Sequence, residues 1–217
     1  MKRSGNSVLL RDDVYWSLRQ DILSCRLPPG SELHENVLAE RFSVSKSPVR
    51  EALLRLERDR LVEVISRQGY RVMPISVADA RNMYSFRGVL ETACAIEAAR
   101  RASAEQLQAL DRFRARPHDD VFIAYNQDFH CAIFDCSQNQ RMAAVARELI
   151  EQMDRMTRIS IHAMRDHDPS RLVKEHCRII DALQARDGRA AARILRDHVN
   201  NAARRVLRAL GQAPVTE

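Results

Sequence analysis

Glycine and proline are distributed unevenly along this chain, and their distribution constrains the architecture more than any other feature of the sequence. The first third contains the turn signals Pro28-Pro29-Gly30, Gly69 and Pro74. Between Pro74 and the C-terminal tail, long stretches with apolar residues at helical spacing are interrupted only at Gly88, Pro117, Pro169 and Gly188. Since glycine and proline mark turns and helix ends, this contrast predicts a small mixed domain at residues 1–75 and a larger all-helical domain at residues 76–217.

The composition argues against membrane, secreted and disulfide-stabilised proteins. With 217 residues, of which 45% are hydrophobic and 29% charged, the chain resembles an ordinary globular protein. No apolar run is long enough to cross a bilayer, and polar residues rather than an apolar secretion signal follow Met1-Lys2-Arg3. The five cysteines are odd in number, widely spaced and without a C-x-x-C pair, which favours a reducing compartment. We therefore expect a cytoplasmic protein with no membrane partner.

The net charge of the chain permits a polyanionic partner but does not locate one. Lysine and arginine outnumber aspartate and glutamate by 35 to 29, which gives a net charge of +6. Residues 1–75 contain 13 basic and 10 acidic residues, and the remainder contains 22 and 19, so each part carries +3. Net charge bears on association and not on fold. Because the two parts carry equal charge, only the positions of individual basic residues can identify a binding surface.

The N-terminal part shows the order helix, helix, turn, helix, hairpin. Apolar residues at helical spacing predict a first helix that ends at Pro28, a short second helix around residues 37–42 and a third helix over residues 45–58. Two runs of β-type residues, 61–65 and 70–73, flank a turn that contains Gly69 and predict a hairpin. This is the element order of a winged helix-turn-helix, whose recognition helix enters the major groove of DNA.

The third predicted helix has an apolar face and a basic face. Its apolar stripe consists of Val49, Ala52, Leu53 and Leu56. Lys46 and Arg50 lie on the opposite face, with Ser45 and Ser47 at the helix start, and such side chains pair with guanine edges or phosphates. Gly69 would let the hairpin backbone approach the minor groove or a phosphate. On periodicity alone, a solvated basic helix in an unrelated helical domain accounts for the same pattern.

The C-terminal part is predicted to be an antiparallel bundle of about six helices. The helical patterns extend over residues 77–101, 103–115, 119–137, 140–165, 169–186 and 188–210. Ser76 with Asp79, and Ser103 with Gln106, have the spacing of capping boxes at two of the predicted helix starts. Together with the winged helix-turn-helix, these helices make the predicted fold class mainly α.

Three histidines and one asparagine of the C-terminal part are candidate metal ligands. Asn126 and His130 are four residues apart and therefore share one face of a helix. His176 and His198 lie among apolar residues of the last two predicted helices. Three imidazoles and one oxygen would suit zinc or nickel if these helices converge. The alternative is that each histidine is a separate, hydrogen-bonded core residue, and spacing alone leaves both interpretations open.

Several segments of the N-terminal part resemble the GntR family of bacterial transcription regulators. The segments are PPGSEL at 28–33, LAERF at 38–42, VSKSPVREAL at 44–53, LERDRLV at 56–62, and Gly69. The resemblance implies a winged helix-turn-helix that binds double-stranded operator DNA. The contacts that it implies come from Ser45, Lys46, Arg50 and Gly69, with Arg41 as a weaker candidate, and Ser47 joins them from its position at the helix start. Arg60 and Asn36 depart from the family pattern, and Asn36 stands where an arginine often contacts DNA.

The remainder of the chain resembles the FCD effector domain of the FadR subfamily. The matching residues include FRGVLE at 86–91, NQDFH at 126–130, Glu175-His176, Gly188 and His198. The resemblance implies an effector-binding and dimerisation domain with the metal ligands Asn126, His130, His176 and His198. Aspartate is commoner than asparagine at the first of these positions, so the neutral Asn126 lowers the ligand charge by one.

Arg87 matches an arginine that lies near the pocket in FCD domains. A guanidinium pairs naturally with a carboxylate, so the resemblance implies a small organic acid as the effector, bound by Arg87 and the metal. The alternative is that Arg87 pairs with Glu91, four residues later, on the helix surface. Spacing alone does not decide between these two roles.

These patterns predict a metabolite-responsive transcription regulator that is a homodimer, a repressor and not an enzyme. The alternative is a metal-dependent hydrolase or other metalloenzyme acting on a small carboxylate, since metal-bound water is a nucleophile. The sequence contains no H-E-x-x-H or G-x-S-x-G motif and no glycine-rich phosphate loop. We therefore favour the regulator.

Overall fold

The computed structural model describes residues 4–115, 118, 121–163 and 169–212. The chain divides into two units, Met1–Ile75 and Ser76–Glu217. Helix predominates in both, as predicted for a mainly α fold, and the strands among the described residues belong to the first unit. Among the described helices, none combines the length and the hydropathy that a membrane span requires.

The first unit is a winged helix-turn-helix, as predicted. Its elements are α1 (Ser4–Leu23), β1 (Glu32–Leu33), α2 (Glu35–Phe42), α3 (Lys46–Arg58), β2 (Val62–Ile65) and β3 (Gly69–Val72). The strands form one antiparallel sheet in the order β1-β3-β2. The prediction lacked β1, because a strand of two residues cannot show the alternation by which strands are recognised.

The position of α3 follows from its first turn and its apolar face. Ser45 precedes the helix with an extended backbone, and Pro48 lies in the first turn. The missing N–H of proline costs nothing there, because the first N–H groups of a helix have no helical partner. Val49, Leu53 and Leu56 are fully buried in the core of the unit. The opposite face of α3 therefore lies in solvent.

The second unit is all-helical among the described residues. Its elements are α4 (Val77–Arg101), α5 (Ala104–Gln108), a 3-10 helix (Ala109–Phe113), α6 (Phe122–Cys136), α7 (Gln140–Gln152), α8 (Asp154–Ala163), α9 (Pro169–Gln184) and α10 (Gly188–Gln212). Two of the about six predicted helical segments are each divided into two shorter helices. Segment 103–115 forms α5 and the 3-10 helix, and segment 140–165 forms α7 and α8. The predicted boundaries at residues 119 and 165 lie outside the described residues.

Two helix starts follow their predicted caps, whereas the break between α7 and α8 has no sequence signal. The Ser76 hydroxyl accepts a hydrogen bond from the Asp79 N–H at 2.9 Å, and Ser103 and Gln106 form a reciprocal capping box. The break lies at Met153, without glycine or proline nearby, and backbone hydrogen bonds at helical spacing continue on both sides of it. A break without a breaker residue cannot be recognised from periodicity.

α4 and α10 pack antiparallel and form the framework of the second unit. Gly88 of α4 lies near Val199 of α10, and Gly188, at the start of α10, lies against Ile96 and Ala99 of α4. A Cβ at Gly188 would come within 3.2 Å of the Ala99 Cβ, so this glycine permits the close approach. The shared core also receives side chains from α6 and α9. Its buried members include Ala95, Phe129, Ile179 and Leu195.

Candidate functional site

The start of α3 presents the predicted DNA-reading side chains to solvent. Ser45, Lys46, Ser47 and Arg50 are all exposed, whereas the stripe behind them is buried. Helix-turn-helix proteins contact base edges with the N-terminal residues of the recognition helix. The exposed side of α3 therefore has the position and the chemistry that groove recognition requires.

A carboxylate from α2 holds the Arg50 side chain. Glu35, the first residue of α2, accepts hydrogen bonds from Arg50 Nε at 2.9 Å and from Arg50 Nη2 at 2.7 Å. The hydrogen bond from Arg50 is the main cause that lowers the pKa of Glu35 below its ordinary value, so the carboxylate is ionised at neutral pH. No sequence pattern indicated this pair, because the packing of α2 against α3 brings its members together.

Arg41, the weaker of the predicted DNA contacts, is engaged within the unit. It pairs with one carboxylate oxygen of Asp21 on α1, and Arg26 donates to the other oxygen at 2.6 Å. Burial opposes ionisation of Asp21, but the two guanidinium groups outweigh it and lower the pKa of Asp21. Arg41 therefore braces α2 against α1 in this structure.

Gly69 occupies a tight position between strands. Its φ is 116°, a conformation that L-residues rarely adopt. A Cβ at this position would lie 2.9 Å from the carbonyl oxygen of Leu33 in β1. The packing of the hairpin against β1 thus requires glycine here, and the approach of this backbone to DNA, expected from the sequence, stays a prediction.

The structure brings together the three predicted histidines in the second unit. His130 comes from α6, His176 from α9 and His198 from α10, and one ring nitrogen of each lies within 4.8 Å of the others. All three rings are buried, with 0%, 0% and 3% of their surface exposed. Phe129 stacks on the His176 ring with centroids 3.8 Å apart and helps to orient it. The cluster could hold a metal ion.

An oxygen atom lies next to the Nδ1 atom of each of these rings. The distances are 3.0 Å from His130 to Glu91 Oε2, 3.3 Å from His176 to the Tyr125 hydroxyl and 2.7 Å from His198 to Glu175 Oε2. The first is a close contact without hydrogen-bond geometry, whereas the other two are hydrogen bonds. Histidines that bind a metal usually direct their second ring nitrogen to such an oxygen, which fixes the ring orientation. The Nε2 atoms are therefore the ones left to face a common centre.

Arg87 lies inside the cluster, where it pairs with Glu91 and also contacts His130. Its Nε donates to Glu91 Oε1 at 2.6 Å, and its Nη2 lies 2.7 Å from His130 Nε2. The Arg87–Glu91 pair thus forms at i, i+4, but it is buried in the domain and not on the helix surface. A buried ion pair is costly unless its remaining donors and acceptors are satisfied, and His130 accepts one of these donors.

The protonation states in the cluster follow from burial and from the neighbouring charge. Burial lowers the pKa of His130 to about 4, although the Glu91 carboxylate opposes this shift. Burial would raise the pKa of Glu91, but the Arg87 guanidinium and the His130 ring outweigh it and hold that pKa far below its usual value. At neutral pH, His130 is therefore a neutral ring whose Nε2 lone pair accepts from Arg87.

The donor set fits a divalent transition metal. The buried Nε2 of His176 has no hydrogen-bond partner among the described residues, and an unsatisfied buried polar atom costs about 1–3 kcal/mol. Burial also holds the pKa of His176 well below its ordinary value, so its ring is neutral and its lone pair is available. Asn126 lies one turn before His130 on α6 and is half-buried. Neutral imidazoles of this kind are ligands for zinc, nickel and similar ions.

Two groups beside the histidines were missed by the sequence interpretation. Glu175 entered the sequence interpretation only as part of the match to the FCD domain, without a role of its own, and Tyr125 carried no signal in the sequence. Glu175 is adjacent to His176 in the chain, yet it contacts His198 on the next helix. Tyr125 precedes Asn126, and its hydroxyl also donates to the Phe113 carbonyl. Neither position carries a local pattern that distinguishes it from an ordinary helical residue.

Two protein-family models match the chain. The model described as bacterial regulatory proteins, gntR family, matches residues 10–72, and the model described as FCD domain matches residues 82–201. The HTH-type transcriptional repressor RspR of Escherichia coli (strain K12) is 31% identical over 199 residues, which cover 88% of this chain and 86% of RspR. The HTH-type transcriptional repressor GlaR of the same organism is 27% identical, with 86% and 91% covered.

Solved structures show the same fold. A putative transcriptional regulator GntR from Rhodococcus sp. RHA1 superposes with a TM-score of 0.72 at 23% identity, covering 93% of this chain and 98% of that one. E. coli McbR/YncC superposes with a TM-score of 0.71 at 20% identity, covering 88% and 94%. The relative RspR and the two family models favour a transcription regulator over a metal-dependent hydrolase.

Proposed function

Because the chain belongs to the GntR family of bacterial transcription regulators and carries the FCD domain of its FadR-like members, we propose that it is a repressor controlled by a small organic acid. The observation that carries this proposal is the buried cluster of three histidines and Arg87 in the domain joined to the winged helix-turn-helix. Operator DNA would bind through Ser45, Lys46, Ser47 and Arg50, and the protein would act in the cytoplasm.

A divalent metal, zinc or nickel, would be held by Nε2 of His130, His176 and His198 and by the Asn126 amide oxygen. When bound, the metal supplies a Lewis acid that can take a carboxylate oxygen of the effector. A metal would need the Nε2 lone pair of His130, but that atom already accepts a hydrogen bond from Arg87. The Arg87–His130 hydrogen bond and a metal–His130 bond therefore exclude each other, and Arg87 keeps Glu91 as its partner when the bond to His130 is given up.

Arg87 would then bind the second carboxylate oxygen of the effector. Its guanidinium has five N–H donors, and Glu91 occupies Nε through Oε1. α4 carries Arg87 and begins within the 74–78 segment that joins the two units. If α4 has two packings and an effector binds one of them more tightly, the effector would shift the populations of the two packings to the extent set by the difference between its two affinities. The linker would transmit this shift to the DNA-binding units.

Substituting Arg87 tests the effector site. We expect a screen of small carboxylates to raise the melting temperature of the metal-loaded protein for at least one acid, which should also release the protein from DNA. Arg87→Lys should weaken binding of that acid by about 2 kcal/mol, or roughly thirtyfold, because lysine keeps the charge but loses the forked hydrogen bonds. Calorimetry measures this loss, and Arg101→Lys on the exposed side of α4 is the control. Turnover of the acid without any effect on DNA binding would favour the hydrolase instead.

An exposed apolar stripe on α4 supports a homodimer. Phe86, Val89 and Ile96 are exposed, with the half-buried Ala93 between them, so they recur at the spacing of one helical face. Contiguous exposed apolar residues mark interaction surfaces. A two-fold dimer through this stripe would pair two winged helices and double the length of DNA that is read.

Val89→Asp is expected to convert the dimer to monomers. In a two-fold interface the substitution buries two carboxylates without partners, at a cost of about 3–5 kcal/mol each. Size-exclusion chromatography with light scattering measures the mass. Val145→Asp, which places the same charge on the exposed side of α7, should leave the mass unchanged. A dimeric Val89→Asp protein would place the interface elsewhere.

A further inference from the structure

A glutamate stands beside the arginine proposed to read DNA. We propose that Glu35 is a positioning residue for sequence specificity. It fixes the Arg50 guanidinium, so that this group is already oriented when it meets a guanine. The inference rests on the proposed role of Arg50 as a base contact. Glu35 itself need not touch DNA.

The geometry of the pair leaves the reading edge of Arg50 available. Glu35 occupies the side edge of the guanidinium, Nε and Nη2, with two hydrogen bonds. Nη1 has no hydrogen bond within the described part of the chain, and Nη2 retains its second N–H. These N–H groups form the end-on fork of the guanidinium, and guanine offers the matching acceptors O6 and N7 in the major groove.

The exposed fractions of the Arg50 and Glu35 side chains differ in the way that a positioning role requires. The Arg50 side chain is 58% exposed, whereas that of Glu35 is 21% exposed and lies at the start of α2. An arginine side chain loses rotamer freedom when it binds DNA, and prior immobilisation removes part of that cost. The Glu35 carboxylate thus prepares Arg50 for recognition.

Glu35 also opposes binding to DNA in general. Its carboxylate is repelled by the phosphates and cancels the charge of Arg50, so it lowers the sequence-independent electrostatic attraction. A positioning role therefore predicts that loss of the carboxylate changes the affinity for the preferred sequence and the affinity for other sequences in opposite directions. Loss of the carboxylate should weaken binding to the preferred sequence and strengthen binding to any other. A carboxylate that acts only through its charge would weaken binding to both kinds of DNA, and its loss would strengthen both.

The test compares Glu35→Gln with Glu40→Gln in the full-length protein. Glu40 is exposed on the same helix and does not contact Arg50, so the control removes the same charge. The specific probe is a duplex enriched from a random library by the wild-type protein, and the other probe is an unselected duplex of equal length. Fluorescence anisotropy at several salt concentrations gives both affinities.

We expect Glu35→Gln to lower affinity for the enriched duplex by about threefold per half-site, which is part of the cost of immobilising one long side chain, and to raise affinity for the unselected duplex. Glu40→Gln should raise both. If Glu35→Gln raises both as Glu40→Gln does, or changes neither, the inference is overturned. Both glutamates lie at the surface of α2, and thermal unfolding verifies that each variant is folded.

Arg50→Ala separates the failure of this inference from the failure of the proposed reading contact. If Arg50→Ala weakens binding to both duplexes equally, Arg50 contacts phosphates only, and both claims fall. If Arg50→Ala removes the preference for the enriched duplex but Glu35→Gln does not, only the role of Glu35 is wrong. In the double variant Glu35→Gln, Arg50→Ala, the specific effect of Glu35 should vanish, because its only target is absent.

Discussion

Replacing Arg50 with alanine is expected to weaken operator binding strongly. A bidentate arginine–guanine contact contributes about 1–3 kcal/mol of discrimination. A symmetric operator contains two such contacts, so the loss is about 2–6 kcal/mol, or roughly thirtyfold to ten-thousandfold in affinity. The fold should persist, because Arg50 is exposed and the core of the unit is formed by the opposite face of α3.

Fluorescence anisotropy with the enriched duplex measures this effect, and Arg58→Ala is the matched control. Arg58 lies at the other end of α3, is exposed and has the same charge. Its loss should weaken binding only through general electrostatics and equally for all sequences. If the two variants behave alike, α3 contributes charge rather than recognition, and the assignment of the reading face is wrong.

Replacing His176 with alanine is expected to remove the metal from the protein. His176 offers an Nε2 atom that is buried and otherwise unsatisfied, so its truncation deletes a ligand that no neighbour replaces. Metal at a hundred times its dissociation constant stabilises a folded protein by about 2.7 kcal/mol, which corresponds to roughly 5–10 °C in melting temperature for a chain of this size. This metal-dependent shift should disappear.

Elemental analysis after dialysis against zinc or nickel gives the stoichiometry, and thermal unfolding with and without metal gives the shift. His130→Ala and His198→Ala should behave like His176→Ala. His34→Ala, in the other unit, should keep both metal and shift. Asn126→Ala should weaken binding less, since a neutral amide is the weakest of the four proposed donors. Unchanged stoichiometry in all three histidine variants would make these residues hydrogen-bonded parts of the core.

Much of the fold could be predicted because it depends on short-range patterns. The buried stripe of α3, the caps at Ser76 and Ser103 and the hairpin around Gly69 each involve residues within a few positions of one another. The two features that were not predicted, β1 and the break between α7 and α8, lack such short-range patterns. The strand β1 is too short to show a period, and the break at Met153 contains no residue that interrupts helices.

The three histidines of the candidate site could be named from the sequence, but their arrangement could not. The sequence placed His130, His176 and His198 on three separate helices, and resemblance to a family grouped them. Only the structure shows that their rings meet, that each has an oxygen beside Nδ1 and that Arg87 lies among them. Helical spacing reports the face on which a residue lies, but the rotation of one helix against another depends on the packing of their whole surfaces.

The sequence by itself determined where the capped helices α4 and α5 begin, which helix faces are apolar and which residues at the start of α3 are exposed, because these follow from the periodicity and capping of contiguous residues. Tertiary structure alone decided that Arg50 is held by Glu35, that Arg41 is engaged by Asp21 and that the Arg87–Glu91 pair is buried against His130. The pairing of a charged side chain is set by which opposite charge the packing of helices brings within hydrogen-bond distance, and that partner can lie anywhere along the chain.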